Sequence, residues 1–111
     1  MNIIYTVKIT QNAQKQMKEI LYYISKKLQA PDAAENLLEE MKKAIFSLGW
    51  MPQRIAFTKE SKWCEQGVRR MPVKNYYIYF WIDEENSIVQ IVAVIYQKRE
   101  QKYQIFEFEK E

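Results

Sequence analysis

The chain has 111 residues, 48% of them apolar and 14% aromatic, enough to fill one core and too few for two, so a single domain over 1–111 is expected. It contains no histidine, which removes Ser-His and Cys-His nucleophile pairs, histidine general bases and nearly all zinc catalysis together. Net charge is only +3, and the longest uncharged run, Asn86 to Gln97, is too short to cross a bilayer, so no membrane span is expected.

In chain order, Ile3, Tyr5, Val7 and Ile9 alternate with Ile4, Thr6 and Lys8, which predicts a strand. Thr10 is placed to cap a helix by offering its hydroxyl to an orphan backbone N–H. Between Gln11 and Gln29 the apolar residues Ala13, Met17, Ile20, Leu21, Ile24 and Leu28 fall on one helical stripe. Ala30-Pro31 stops that helix, because proline disfavours the helical conformation in its predecessor. Pro31 suits the first turn of a second helix, with Asp32 and Glu35 near its positive end. Ala34, Leu37, Leu38, Met41, Ala44, Ile45 and Leu48 repeat the stripe, and Gly49 is the expected C-terminal cap. So short a connection predicts an antiparallel helical hairpin.

Trp50 to Gly67 reads as a loop with at most a short strand. Val68 to Val73 reads as a strand, with Pro72 marking an edge or a bulge. From Asn75 to Ile82, Tyr76, Ile78, Phe80 and Ile82 face one way and Tyr77, Tyr79 and Trp81 the other. Asp83 to Asn86 is a turn, and Ile88 to Tyr96 is apolar on both faces, as a central strand should be. Strands joined by tight turns predict an antiparallel meander. Residues 97–111 fit an edge strand, a short helix or a tail. The expected class is α+β in two layers, β-α-α-β-β-β, an antiparallel sheet covered on one face by an α-helical hairpin.

Cys64 is alone, so neither an internal disulfide nor a metal site is expected, and no cofactor motif is present. No cleavable leader is legible in the first residues, and a cytoplasmic protein is the expectation. Charge is uneven. Residues 54–74 carry six basic side chains against Glu60 and Glu65. Arg69, Arg70 and Lys74 lie there, and Lys98, Arg99 and Lys102 follow the last strand. The meander is expected to bring the two groups to one rim, where guanidinium and ammonium groups suit a phosphate backbone. The competing reading is a solvated sheet edge that repels other strands. Arg69 and Arg70 must point to opposite faces. Tyr76, Tyr77, Tyr79, Trp81, Tyr96 and Tyr103 offer rings that either stack on bases or pack in the core. RNA cleavage without histidine would rest on Lys or Glu as base, Arg99 as charge stabiliser and Tyr103 as proton donor.

A family resemblance adds to this. The strings Tyr5-Thr6-Val7-Lys8-Ile9-Thr10, Ala33-Ala34 with Leu37-Leu38, Ala44-Ile45 with Leu48, and Met51-Pro52 with Arg54 resemble the RelE/ParE family of bacterial toxins. So do Gly67-Val68-Arg69-Arg70-Met71-Pro72-Val73, Asn75-Tyr76, Tyr79 and Val94-Ile95-Tyr96-Gln97-Lys98-Arg99. The likeness runs in order through about residues 3–100, with 100–111 left as a C-terminal tail. It implies the toxin of a type II toxin–antitoxin module of the plasmid-stabilisation type, neutralised by a cognate antitoxin. ParE-like members poison DNA gyrase; RelE-like members cut messenger RNA on the ribosome. In the RNA-cutting branch Arg69 and Arg99 would fill two of the basic positions, with Tyr103 as the C-terminal tyrosine, although it follows Arg99 more closely than that branch implies. The third basic position reads Asn75-Tyr76, without an arginine. The resemblance therefore implies the ParE side, with growth arrest through gyrase. For target or nucleic-acid contact the candidates remain the basic cluster read from the residues themselves: Arg69, Arg70, Lys74, Lys98, Arg99 and Lys102.

Overall fold

A computed structural model of the chain describes residues 4–58 and 66–98. Strand β1 (Thr6–Ile9) leads into helix α1 (Gln11–Tyr22). Thr10 caps that helix as expected: its Oγ accepts from the Ala13 N–H at 3.2 Å and donates to the Ile91 carbonyl at 2.9 Å. The expected helix over 11–29 changes character at its end. Tyr23–Lys27 form a π-helical turn, closed by the Leu28 N–H on the Tyr23 carbonyl, five residues back, at 3.0 Å. The extra residue rotates the last positions off the apolar stripe, and Leu28, expected inside, is 55% exposed.

Gln29 then takes a left-handed φ of 51°, and the Ala30 N–H reaches back to the Ile24 carbonyl at 3.1 Å. This closure is one that glycine adopts without strain. Gln29→Gly is expected to raise stability by about 0.5–1 kcal/mol, read from the urea midpoint at unchanged slope.

Helix α2 (Pro31–Ser47) begins on Pro31 and buries Ala34, Leu37, Met41 and Ile45, the predicted stripe. Its last residues stay right-handed, with Leu48 at φ −73°. Gly49 therefore serves another purpose than the expected left-handed cap. A Cβ there would sit 3.1 Å from the Tyr5 carbonyl and 3.4 Å from that of Phe46. Glycine lets the end of α2 meet the start of β1, where the Tyr5 N–H donates to the Gly49 carbonyl at 2.7 Å.

A 3₁₀ turn (Pro52–Arg54) and an irregular stretch precede β2 (Val68–Val73), β3 (Tyr76–Asp83) and β4 (Ile88–Tyr96). These three strands form the expected antiparallel meander, Val68 opposite Trp81 and Tyr76 opposite Tyr96. The sheet order is β1-β4-β3-β2, so β4 is central, as its apolar sequence predicts. β1, however, pairs with β4 in parallel, Thr6 with Ile88 through Ile9 with Ile91, so the sheet is mixed rather than wholly antiparallel. The hairpin explains the direction. α1 runs along β4, and α2 returns the chain to where β1 began, with Trp50 bridged to Ile4. β2 sets off along β1's direction, and two reversals later β4 does too.

Between Tyr79 and Phe80 the register slips: their partners are Ala93 and Ile91, and Val92 is left over as a bulge. α1 serves its freed backbone groups. Asn12 Nδ2 donates to the Val92 carbonyl at 3.0 Å, and Gln16 Oε1 accepts from the Val94 N–H at 2.8 Å. The main core lies between this sheet face and the hairpin. It holds Met71, Ile78, Phe80, Val89, Ile91 and Val94 against Ala13, Met17, Leu37, Met41, Ile45 and Leu48.

Candidate functional site

Three surfaces carry polar or unpartnered groups. The first lies where the Trp50–Thr58 stretch meets β2. Arg69 Nη1 donates to the Ile55 carbonyl at 2.6 Å and to that of Gln53 at 3.3 Å, and its guanidinium lies 4.0 Å from the Phe57 ring centre. Burial pushes its pKa below the ordinary arginine value, with the Glu84 charge opposing. Arg54 holds the same stretch, donating to the Trp50 and Met51 carbonyls at 2.7 and 3.1 Å and to Ser47 Oγ at 3.0 Å. Both arginines thus fasten loop backbone.

Beside them Tyr5 donates to Glu84 Oε1 at 2.6 Å, and Gln53 Nε2 donates to the Tyr5 hydroxyl at 2.6 Å and to Glu84 Oε2 at 3.1 Å. The Tyr5 bond, then the Gln53 bond, holds the Glu84 carboxyl below the usual glutamate range, and the bond to Glu84 raises the Tyr5 phenol above its usual value. The signs set a window. A carboxylate lowered in the fold contributes stability above its unfolded pKa, about 4.3, which is lost as pH falls through the folded value. A phenol raised in the fold contributes below about 10 and loses that contribution as pH rises through its higher folded value. Urea midpoints measured from pH 7 down to pH 3 are expected to fall less steeply in Glu84→Gln than in the parent.

The second surface is basic. Lys74, in the turn between β2 and β3 at φ 55°, and Lys98, just past β4, lie at one end of the sheet. Gln97 ties them together: its N–H donates to the Asn75 carbonyl at 2.8 Å and its Nε2 to the Lys74 carbonyl at 3.2 Å. The rest of the expected rim does not assemble among the described residues. Arg69 lies five residues back along β2, roughly 15 Å away, on the helix-facing side. Arg70 is on the other face, its guanidinium 4.0 Å from the Tyr77 ring centre. Strand alternation and strand length together disperse the basic run. Arg99, Lys102, Tyr103 and Cys64 lie outside the described residues.

The third surface is a shallow, largely apolar groove of about 360 Å³ between the two helices, lined by Leu21, Tyr22, Ser25, Lys26, Ala34, Glu35 and Leu38. The π turn begins at Tyr23 beside this groove, and Tyr22 at its edge is 60% exposed. The α-helical pattern in the sequence carries no sign of that turn, so the groove was not expected from it.

A family model for the ParE toxin of the type II toxin–antitoxin system parDE matches residues 7–101. The chain belongs to the ParE toxin family. It is accordingly a type II toxin–antitoxin toxin of RelE/ParE type. Solved structures agree on the fold of this ParE-family toxin. It is similar to a chain of the chromosomal ParDE toxin–antitoxin system from P. aeruginosa, with 16% identity and a TM-score of 0.66, over 84% of this chain and 96% of that one. It is also similar to a chain of the RelBE2 toxin–antitoxin complex from Mycobacterium tuberculosis, with 20% identity and a TM-score of 0.59, over 85% and 92%. No curated protein matches the sequence. Among the described residues of this ParE-family toxin, no three His, Cys, Asp or Glu side chains gather to hold a metal ion, and no helix is long and apolar enough to cross a membrane.

Proposed function

We propose that this ParE-family toxin arrests growth by binding DNA gyrase in the cytoplasm, without cutting a bond itself, as part of a plasmid-stabilising module. A cognate antitoxin silences it by laying an apolar helix face into the groove between α1 and α2. The observation that carries the non-catalytic reading is the state of Arg69. Its Nη1 donates to two backbone carbonyls and its guanidinium lies against the Phe57 ring, which commits much of the side chain to holding the loop. The third basic position that the resemblance to the RNA-cutting branch implies is taken by Asn75, in the turn before β3. Removing one such stabiliser of developing charge costs about 10²–10³ in rate. The match to the ParE toxin model supports this reading.

Target contact then falls to surfaces, and the Lys74 and Lys98 end is the best-placed of them, with Arg99 and Lys102 following in sequence. Exposed ammonium groups there speed and orient encounter with an anionic partner such as gyrase-bound DNA. The experiment is a supercoiling assay with purified gyrase. Supercoiling should fall as the free toxin is added and recover when antitoxin follows. Undiminished supercoiling at a large molar excess of folded toxin would remove the proposal, and cleavage of translated messenger RNA at codon-phased positions would replace it with the ribosome-dependent endoribonuclease.

A further inference from the structure

Helices α1 and α2 turn Ala13, Met17, Ala34, Leu37, Met41 and Ile45 to the core, and the opposite side of the hairpin faces water. That outer side is divided by charge. Residues 11–28 carry four lysines against Glu19, and residues 31–40 carry four carboxylates and no cation. Lys15, Lys18 and Tyr22, at helical steps of three and four, form one exposed ridge on α1, and Lys26 joins Tyr22 at the groove. Asp32, Glu35 and Glu39 form a ridge on α2 at the same steps, and Phe46, seven residues further on, stands on it 85% exposed. The groove sets Tyr22 level with Glu35, so Lys26 is level with Asp32 and Lys18 with Glu39. Among the described residues Lys18 and Lys26 nevertheless make no ion pair; Glu39 instead meets Lys42 on its own helix at 4.0 Å. A nucleic acid on the lysine ridge would bring its phosphates within about 10 Å of the carboxylates, the spacing of packed helices and no more than the screening length at about 0.1 M salt. A surface that presents the same two rows in reverse order satisfies both. A second copy of this hairpin is such a surface.

We propose that the outer side of the hairpin docks a second copy of the chain about a two-fold axis parallel to the helices. That rotation lays α1 of each copy over α2 of the other and leaves every residue at its own level. Lys26 and Lys18 then face Asp32 and Glu39 of the second copy, and each pairing occurs twice, as an isologous contact requires. Tyr22, 60% exposed in one chain, comes down on the second copy's groove beside Leu38, and Phe46 leaves water. A helix the length of α2 spans about 25 Å and two packed helices are about 20 Å across, so the contact covers roughly 500 Å² per copy. The resulting total of about 1,000 Å² is at the lower limit for a specific interface, which makes a weak, salt-sensitive dimer of the free toxin. The same side holds the groove assigned above to the antitoxin, but the matching of the charged rows does not rest on that assignment.

Sedimentation of the full chain tests this. At low salt the mean mass should rise from monomer toward dimer between roughly 5 and 500 µM, as a small interface implies. The association constant should fall at least ~10-fold when salt rises to about 0.5 M. Lys18→Glu with Lys26→Glu makes both rows acidic, and Asp32→Lys with Glu39→Lys makes both rows basic. Each double variant alone should stay monomeric, and an equal mixture of the two should regain the dimer, because every row then meets its opposite. All four positions are exposed, and recovery in the mixture shows that both variants are folded. A parent chain still monomeric at about 500 µM would overturn the proposal. So would a dimer that both double substitutions leave unchanged, or a mixture of the folded variants that stays monomeric. Binding of a DNA duplex by a monomeric chain, lost with Lys18→Glu and Lys26→Glu, would also overturn it and give the lysine ridge to nucleic acid.

Discussion

Phe80→Ala should lower unfolding free energy by about 3–5 kcal/mol, the largest loss expected from any single truncation in this chain. Phe80 is fully buried on the helix-facing side of β3, opposite Arg69 on one neighbour and Ile91 on the other, at the edge of the bulge. Its ring fills space that the hairpin roofs, and the clamps of Asn12 and Gln16 on the bulge keep the roof from settling into a cavity. A domain of this size has only about 5–15 kcal/mol in total, so the variant should melt lower by roughly 15 °C or more. Thermal unfolding followed by circular dichroism reads it directly.

Tyr22→Ala should leave that stability nearly untouched, because the ring is mostly exposed, and should instead weaken antitoxin binding by about 30-fold. Tyrosine at the edge of an apolar groove is the kind of side chain on which helix-in-groove recognition concentrates its energy. Titration calorimetry with purified antitoxin supplies the affinity. A matching cell assay should show the variant toxin escaping neutralisation while still arresting growth. An unchanged affinity would move the antitoxin off this groove.

Those two residues show what the sequence discloses and what it hides. Phe80 was legible, because strand alternation assigns Tyr76, Ile78, Phe80 and Ile82 to one side, and an aromatic strand beside two apolar helical stripes must bury that side. The Ala34 to Ile45 stripe of α2 and the central place of β4 were legible for the same reason: burial repeats at the period of the backbone. The edge around Tyr22 was not, since the π turn is a local addition that leaves no mark on apolar spacing. Nor was the direction of β1, whose partner lies some 80 residues away and is oriented by the helical hairpin between them. The basic run looked like one site because its residues are close in sequence. A strand spreads such residues over two faces and its own length, which parts Arg69 and Arg70 from Lys74 and Lys98. The joining of Tyr5, Gln53 and Glu84 needs three distant segments, and none of them carries a motif.

The central claim, a toxin that acts on gyrase by binding rather than on RNA by cleavage, is tested most directly in one culture with two readouts. Expression of the chain without antitoxin is induced, and plasmid topology and primer extension on abundant messages are measured from the same cells. Plasmids that lose negative supercoiling while messages remain uncut are the predicted result. Plasmids of normal supercoiling together with codon-phased cuts, lost in Arg99→Ala, would contradict it.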